Sequence, residues 1–489
     1  MAATWIWNGR YERLERVSVD PTLNRTIVES SGSSFGDYRQ VVPGDAVVVM
    51  THLKPFDPSR FRGVLLVNEG AAQAAAMKAA EKERRWQFAG LAREAREDER
   101  IYRVVLFHLE PLAITRIDRH GRPLSASMTR PLGRYYDEAL VRSKRTSGNN
   151  IQWPEDAALR RVVKAATSGL YAIGLDIGEA EVALGADGRA AVRNARPLSA
   201  AICGSATIVN ALRHFAQQVA ADNAFKRSGG IKIGADPEFV LVRPDGRIAS
   251  ASRFLGEGTG GAAGSDALRI GRRIVYPVAE LRPEPAEHPA LLADHVRQLL
   301  FRALSRISDP TLRWAAGAMP VPGLALGGHI HISGVPLSAR LLRLLDSYAA
   351  LPLALVEDPA GRGRRPRYGV LGDFRLQPHG GFEYRTLPSW LVSPAAAKAA
   401  FALALLCARE TLTLTHIPAL EERYVEAFYA GDRTELVGCL DGVAAALAAT
   451  PSYGELAPYI EPLFDAARRG TTWDERADFR LKWRIPLTR

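Results

Sequence analysis

The chain has 489 residues, 47% of them hydrophobic, which is too long for one ordinary core and suits two or three domains. Apolar residues run through its whole length, which excludes a disordered or fibrous chain, and no stretch of about twenty apolar residues lacks charge, which excludes a helical membrane span. Lys plus Arg number 64 against 53 acids, a net charge of +11, but the excess is mostly arginine with no long basic block beyond "RGRRPR" (362–367), so anionic small molecules suit it better than nucleic acid.

The N-terminus, "MAATWIWNGRYERLERV", has no basic segment followed by an apolar one, so no signal peptide is read there. The three cysteines, Cys203, Cys407 and Cys439, are far apart and in no metal spacing, which fits a reducing cytoplasm. In residues 1–68 the short apolar runs "TIVES", "DAVVVM" and "GVLLV" predict strands. Residues 70–98, rich in Ala, Glu, Lys and Arg, predict a helix. Residues 100–122 read as two strands and a turn, and residues 169–197 as further strand with "ADG" at the turn. A helix is expected over 205–227, followed by "KRSGG" (226–230) as a linker.

A second unit follows. Residues 231–250 predict a hairpin with "PDG" at its turn, 256–266 a glycine-rich loop, and 272–285 a strand. Helices are expected near 288–307 and 337–356, with the strand "GGHIHISG" (327–334) between them, and the tail 395–470 reads as Ala/Leu helix. The expected domains are 1–225, 226–430 and 431–489, the last a helical extension packed on the second.

Side chains alternate along a strand, so residues i and i+2 share a face. Asp236 and Glu238 form one such pair, Glu280 and Arg282 a second, His329 and His331 a third, and Glu383 and Arg385 a fourth, with Arg375 on the preceding strand. A polar pair in an apolar strand is costly against a core. All four faces are therefore expected to line one cavity. Clustered carboxylates repel unless cations sit between them, and an oxygen-rich set with occasional imidazole suits Mg²⁺ or Mn²⁺. Carboxylates, a divalent cation and arginines together are the equipment of phosphoryl transfer.

"GADPEF", "AELRPEP", "GGHIHI" and "RYGVLGDFRLQPHGGFEYRTLPSW", in this order, resemble the phage-type amidoligases of the carboxylate–amine ligase superfamily. The resemblance implies a glutamine-synthetase-like α+β fold, a curved antiparallel sheet with helices. It implies that ATP converts a carboxylate to an acyl phosphate, which an amine then attacks. It further implies Asp236, Glu238, Glu280, His329 and Glu383 as metal ligands. His331, Arg367, Arg375 and Arg385 would meet the nucleotide, and Arg282, Arg375 and Arg385 would act in catalysis. The glycine-rich loop with Asp266 matches the family's segment before the "ELRP" strand.

The segments "YRVVLFHLEPLAITRIDRHG" and "GLDIGEAEVALGADGRAAVRNARP" resemble the C-terminal half of an ATP-grasp domain. That resemblance implies Asp176 and Asn194 as metal ligands, with Val192 standing where a further acid is expected. The implied partners are ATP, Mg²⁺ or Mn²⁺, and small-molecule or peptide carboxylate and amine substrates, with no nucleic acid and no membrane; a homo-oligomer is compatible. Two other classes compete: a metal-dependent hydrolase, which would not need several arginines, and a non-catalytic binding or scaffold role for residues 1–225.

Overall fold

The computed structural model describes residues 2–8, 14–17, 35, 36, 38–51, 53, 56–124, 130, 131, 156–225, 230–256, 262–270, 273–377 and 380–487. The chain forms two compact units. One is Met1–Gly229 with Ser338–Arg340 and Pro378–Gly380; the other is Gly230–Leu337 with Leu341–Gln377 and Gly381–Arg489.

The first unit holds two five-stranded sheets. Strands β1 (Thr4–Trp7), β2 (Leu14–Arg16), β3 (Phe35–Gly36), β4 (Ala46–Val49) and β5 (Leu65–Val67) lie in the order β3-β2-β1-β4-β5. β4 runs parallel to both its neighbours and is buried throughout, which is why its sequence is a continuous apolar run rather than an alternating one. The expected strand "TIVES" lies outside the described residues.

Strands β6 (Arg100–Phe107), β7 (Glu110–Ile117), β8 (Arg130–Pro131), β9 (Ile177–Leu184) and β10 (Ala190–Arg196) form the second sheet, antiparallel, in the order β10-β9-β6-β7-β8. Tyr102, Val104, Val182 and Val192 join Val162, Val163, Ala166 and Leu170 of the helix Ala157–Ala172 in one core. That helix takes in residues 169–172, which the sequence assigns to strand. Asp156 starts it by accepting from the Ala158 and Leu159 amides, and Gly174, at φ 82°, turns the chain out of it. The single helix expected over 70–98 is two, Ala71–Ala76 and Ala79–Phe88. Met77 and Lys78 are extended between them, and Gly90 at φ 68° follows the second.

The second unit is built on an eight-stranded antiparallel sheet flanked by helices. Its strands are β11 (Lys232–Val242), β12 (Ile248–Ala249), β13 (Ala263–Ile270), β14 (Arg273–Leu281), β15 (Arg313–Ala315), β16 (Gly328–Ser333), β17 (Phe374–Leu376) and β18 (Phe382–Tyr384). The main path is β13-β14-β11-β16-β18-β17, and β12 and β15 also pair with β11. Phe239, Leu241, Ala279, Ile330, Ile332, Phe382 and Tyr384 alternate with the polar pairs and are buried. The helices Pro289–Arg306 and Pro394–Arg409 pack against strands of this sheet.

One of the expectations for this unit needs correction. The last four residues of the glycine-rich loop expected over 256–266 are strand, since β13 begins at Ala263 and pairs along β14; residues 257–261 lie outside the described residues. The helix expected at 337–356 is present over 339–356, with a π turn, Asp346–Ala350, between Ala339–Leu345 and Leu351–Val356. Pro352 has no N–H to give the preceding turn, and the Leu351 amide bonds Asp346 five residues back. No helix among the described residues is long and apolar enough to cross a membrane.

The tail is helical, with Glu422–Ala430, Leu440–Ala448 and Tyr453–Arg468 as its longer elements. Beyond them Glu475 is buried and accepts from the Ala318 and Met319 amides. Burial pushes its carboxyl up to about 7 from 4.5. A raised carboxyl pKa stabilises the fold while the group is protonated, so this contribution is full below pH 4.5 and is lost as pH rises through 7. The loss is on the order of 3 kcal/mol. Glu475→Gln is expected to flatten the fall of Tm between pH 5 and 7; equal slopes in both proteins would refute the assignment.

Candidate metal and phosphate site

The register of the second unit's sheet decides which side chains meet. Glu238 on β11 lies opposite Glu280 on β14, Asp236 on β11 opposite His329 on β16, and His331 on β16 opposite Glu383 on β18. Arg375 on β17 lies opposite Glu383. Directly opposed residues and residues two apart share a face. One face therefore carries Glu280, Arg282, Glu238, Asp236, His329, His331, Glu383, Arg385 and Arg375.

Asp236, Glu238, Glu280, His329 and Glu383 are buried, Glu383 completely at 0% exposure. His329 Nδ1 lies 3.4 Å from Asp236 Oδ1 and 3.2 Å from Glu383 Oε1, and His331 Nε2 lies 3.2 Å from Asp236 Oδ2. Arg385 Nε is 3.0 Å from Glu383 Oε1, and Arg375 Nε donates to Glu383 Oε2 at 2.6 Å. Arg282 pairs with Glu280. Burial works to raise the Asp236 pKa, but His329 and His331 outweigh it and hold the carboxyl below the usual carboxylate range. Burial pushes Glu238 up and outweighs the opposing pull of His329 and the Gly327 amide, while Asp266 and Asp236 add to the rise. Burial works to lower the His329 pKa, but Asp236 and Glu238 outweigh it and favour the charged ring.

One ligand atom each from Asp236, His331 and Glu383 lie within 4.8 Å of one another, so this group can chelate a divalent cation. Asp236 Oδ1, His329 Nδ1, His331 Nε2 and Glu383 Oε1 are buried and make no well-formed hydrogen bond. Buried polar atoms are ordinarily paired. Four converging exceptions fit a site whose pairing is supplied by an ion.

Two glycines let the strands meet this closely. The Gly327 amide donates to Glu238 Oε2 at 2.7 Å. A Cβ on Gly328 would lie 2.3 Å from the Pro388 carbonyl oxygen and 2.7 Å from the Trp390 ring. Gly328→Ala is expected to lower stability by about 1–3 kcal/mol through overpacking. Unchanged thermal melting would show that the strands have room to part.

Arg367 is exposed, with its guanidinium over the Tyr368 ring. Sequence reasoning missed Gln377, whose Nε2 donates to Glu383 Oε2 at 2.9 Å. It stands two residues after Arg375, so the same alternation argument would have found it. In the first unit the Asp176 carboxylate accepts from the Asn68 amide at 2.6 Å, while Asn68 Oδ1 accepts from the Asp176 and Ile177 amides. Asn194 on β10 lies opposite Glu181 on β9 rather than beside an acid on its own strand.

One face of this antiparallel sheet gathers carboxylates, imidazoles and guanidiniums, and three of these groups are spaced to chelate a divalent cation. Residues 233–485, more than half of the chain, match the family described as phage phiEco32-like COOH.NH2 ligase-type 2, and the chain belongs to that family. No curated protein matches it. Among solved structures, a bifunctional glutathione synthetase from Pasteurella multocida is 13% identical, with 55% of this chain and 54% of that chain covered at a TM-score of 0.32. A glutamine synthase homolog is 17% identical, with 51% and 68% covered at 0.30, and Plasmodium falciparum glutamine synthetase 10% identical, with 81% and 96% covered at 0.30. The chain spans about half the length of the glutathione synthetase it matches.

Proposed function

We propose that the chain is an ATP-dependent carboxylate–amine ligase that forms an amide through an acyl phosphate. The observation that carries this is the convergence of Asp236, His331 and Glu383 on one sheet face, with Arg375 and Arg385 both paired to Glu383. Asp236, Glu238, Glu280, His329, His331 and Glu383 would hold Mg²⁺ or Mn²⁺. The bound cation would supply charge neutralisation at the phosphates. Arg282, Arg375 and Arg385 are the anion-binding groups. A carboxylate is a poor electrophile, so amide formation at neutral pH needs it activated, and guanidiniums suit both the carboxylate and the phosphate it attacks. A metal-dependent hydrolase of neutral bonds leaves these arginines without a task.

For residues 1–225 we propose an ATP-grasp-like unit that binds or presents a substrate. Support comes from the antiparallel sheet β10-β9-β6-β7-β8, on which Asn194 faces Glu181 and, beside it, Arg103. Asp176 is no longer part of this proposal, because its carboxylate is engaged by backbone.

The test is incubation with ATP, Mg²⁺ and a pooled small-molecule extract. Mass spectrometry should find a product one water lighter than the sum of two inputs, with ADP formed in equal amount. Steady ATP hydrolysis without amide under every mixture would refute the ligase.

A further inference from the structure

We infer that Arg364 is a positioning residue that sets the geometry of the cation site through the backbone carbonyls it holds; the inference rests on the site proposed above. The basic run 362–367 suggests a solvated loop, yet Arg364 is buried. Its guanidinium forks onto two consecutive carbonyls, with Nη1 donating to Thr386 at 2.7 Å and Nη2 to Leu387 at 2.8 Å. Those residues directly follow Glu383 and Arg385.

The Leu387 carbonyl also accepts from the Gly328 amide at 3.1 Å, the residue before His329. Gly327 bridges Pro388, and its amide holds Glu238 Oε2. The Ser389 hydroxyl donates to the Glu238 carbonyl at 2.6 Å. Strands β11, β16 and β18 thus meet at one junction, and they carry Asp236, Glu238, both histidines and Glu383. Arg364 is the charged side chain at its root.

The junction has little slack. A Cβ at Gly369, where φ is 70°, would lie 2.4 Å from Arg364 Nη1, and Gly328 is hemmed in by Pro388 and Trp390. Burial lowers the Arg364 pKa to about 10, with Glu357 and Glu238 among the groups opposing the drop, so the guanidinium stays charged at neutral pH. A planar fork can satisfy two neighbouring carbonyls at once; a lysine ammonium cannot hold that geometry. A site held loosely by about 1 Å loses most of its function.

The test uses the full chain and Mn²⁺ as probe, with affinity read by electron paramagnetic resonance well below Tm. Arg364→Lys is expected to keep wild-type circular dichroism and bind Mn²⁺ at least tenfold more weakly. Arg364→Ala should weaken it further, and guanidinium ion at tens of millimolar should restore part of the affinity. A purely structural role would lower Tm in both variants and leave Mn²⁺ affinity in the folded protein unchanged. Wild-type affinity in folded Arg364→Lys overturns the inference even if Arg364→Ala fails to fold. A wild-type chain that binds no Mn²⁺ overturns the cation site itself, and this inference with it, before any variant is compared.

Discussion

Glu383→Ala and Glu238→Ala are expected to lose Mn²⁺ binding alike and to part company in stability. Both acids are buried on the same face and both meet His329, but Glu383 is paired to arginines while Glu238 faces other carboxylates. Glu383 is surrounded by Arg375, Arg385 and His329, and Gln377 also donates to it. Removing it leaves two guanidiniums and an imidazole facing an empty space. Breaking a buried pair from one side costs about 3–5 kcal/mol, and this case belongs near the lower figure because Arg375 is half exposed and can turn to water. Glu238 instead sits opposite Glu280, with His329 attracting it and Asp266 and Asp236 repelling it. Its loss relieves like charge and forfeits the hydrogen bond from Gly327 and the attraction of His329, opposing effects of about 1 kcal/mol each. Thermal melts without metal should show a large drop for Glu383→Ala and little change for Glu238→Ala. Mn²⁺ affinity should fall on the order of 100-fold in both. Equal stability would mean that the charge pattern of the face is misassigned.

The site was legible in the sequence because a strand has a rigid period of two. Once Asp236/Glu238, Glu280/Arg282, His329/His331 and Glu383/Arg385 are read as strand pairs, only their register is missing, and the pairings of β11, β14, β16 and β18 supply it. Arg364 was invisible for the opposite reason. It acts through carbonyls of Thr386 and Leu387, far from it in sequence, and a basic run gives no local sign of burial. The long helix expected over 70–98 failed at Met77 and Lys78, where tertiary structure imposes an extended backbone on good helix formers. The helix Ala157–Ala172 went unread: its capping Asp156 was not used, and its last turn was assigned to strand because "GLYAIG" is apolar enough for either state.

The last expectation divides labour between the two units. Asp236→Ala/His331→Ala should abolish amide formation, by on the order of 1,000-fold or more, because it removes two of the three converging ligand atoms from the face that also carries the arginines. Glu181→Ala/Asn194→Ala should leave ATP cleavage intact and raise the KM of one substrate. Asp176→Ala is a poor probe of the same question. Asp176 accepts from the Asn68 amide and its own amide donates back to the Asn68 side chain, so the substitution would open a buried clamp and report on folding. Glu181 is different: it lies on a part-exposed face and pairs with Arg103 at 3.0 Å, where truncation removes a polar contact without opening a core. Surface pairs of this kind contribute about 0–1 kcal/mol, so the first-unit variant should fold normally. Loss of all nucleotide cleavage in that variant, with its melting curve unchanged, would place the phosphoryl chemistry on β9 and β10. The face of β11, β16 and β18 would then be a binding surface for the second substrate.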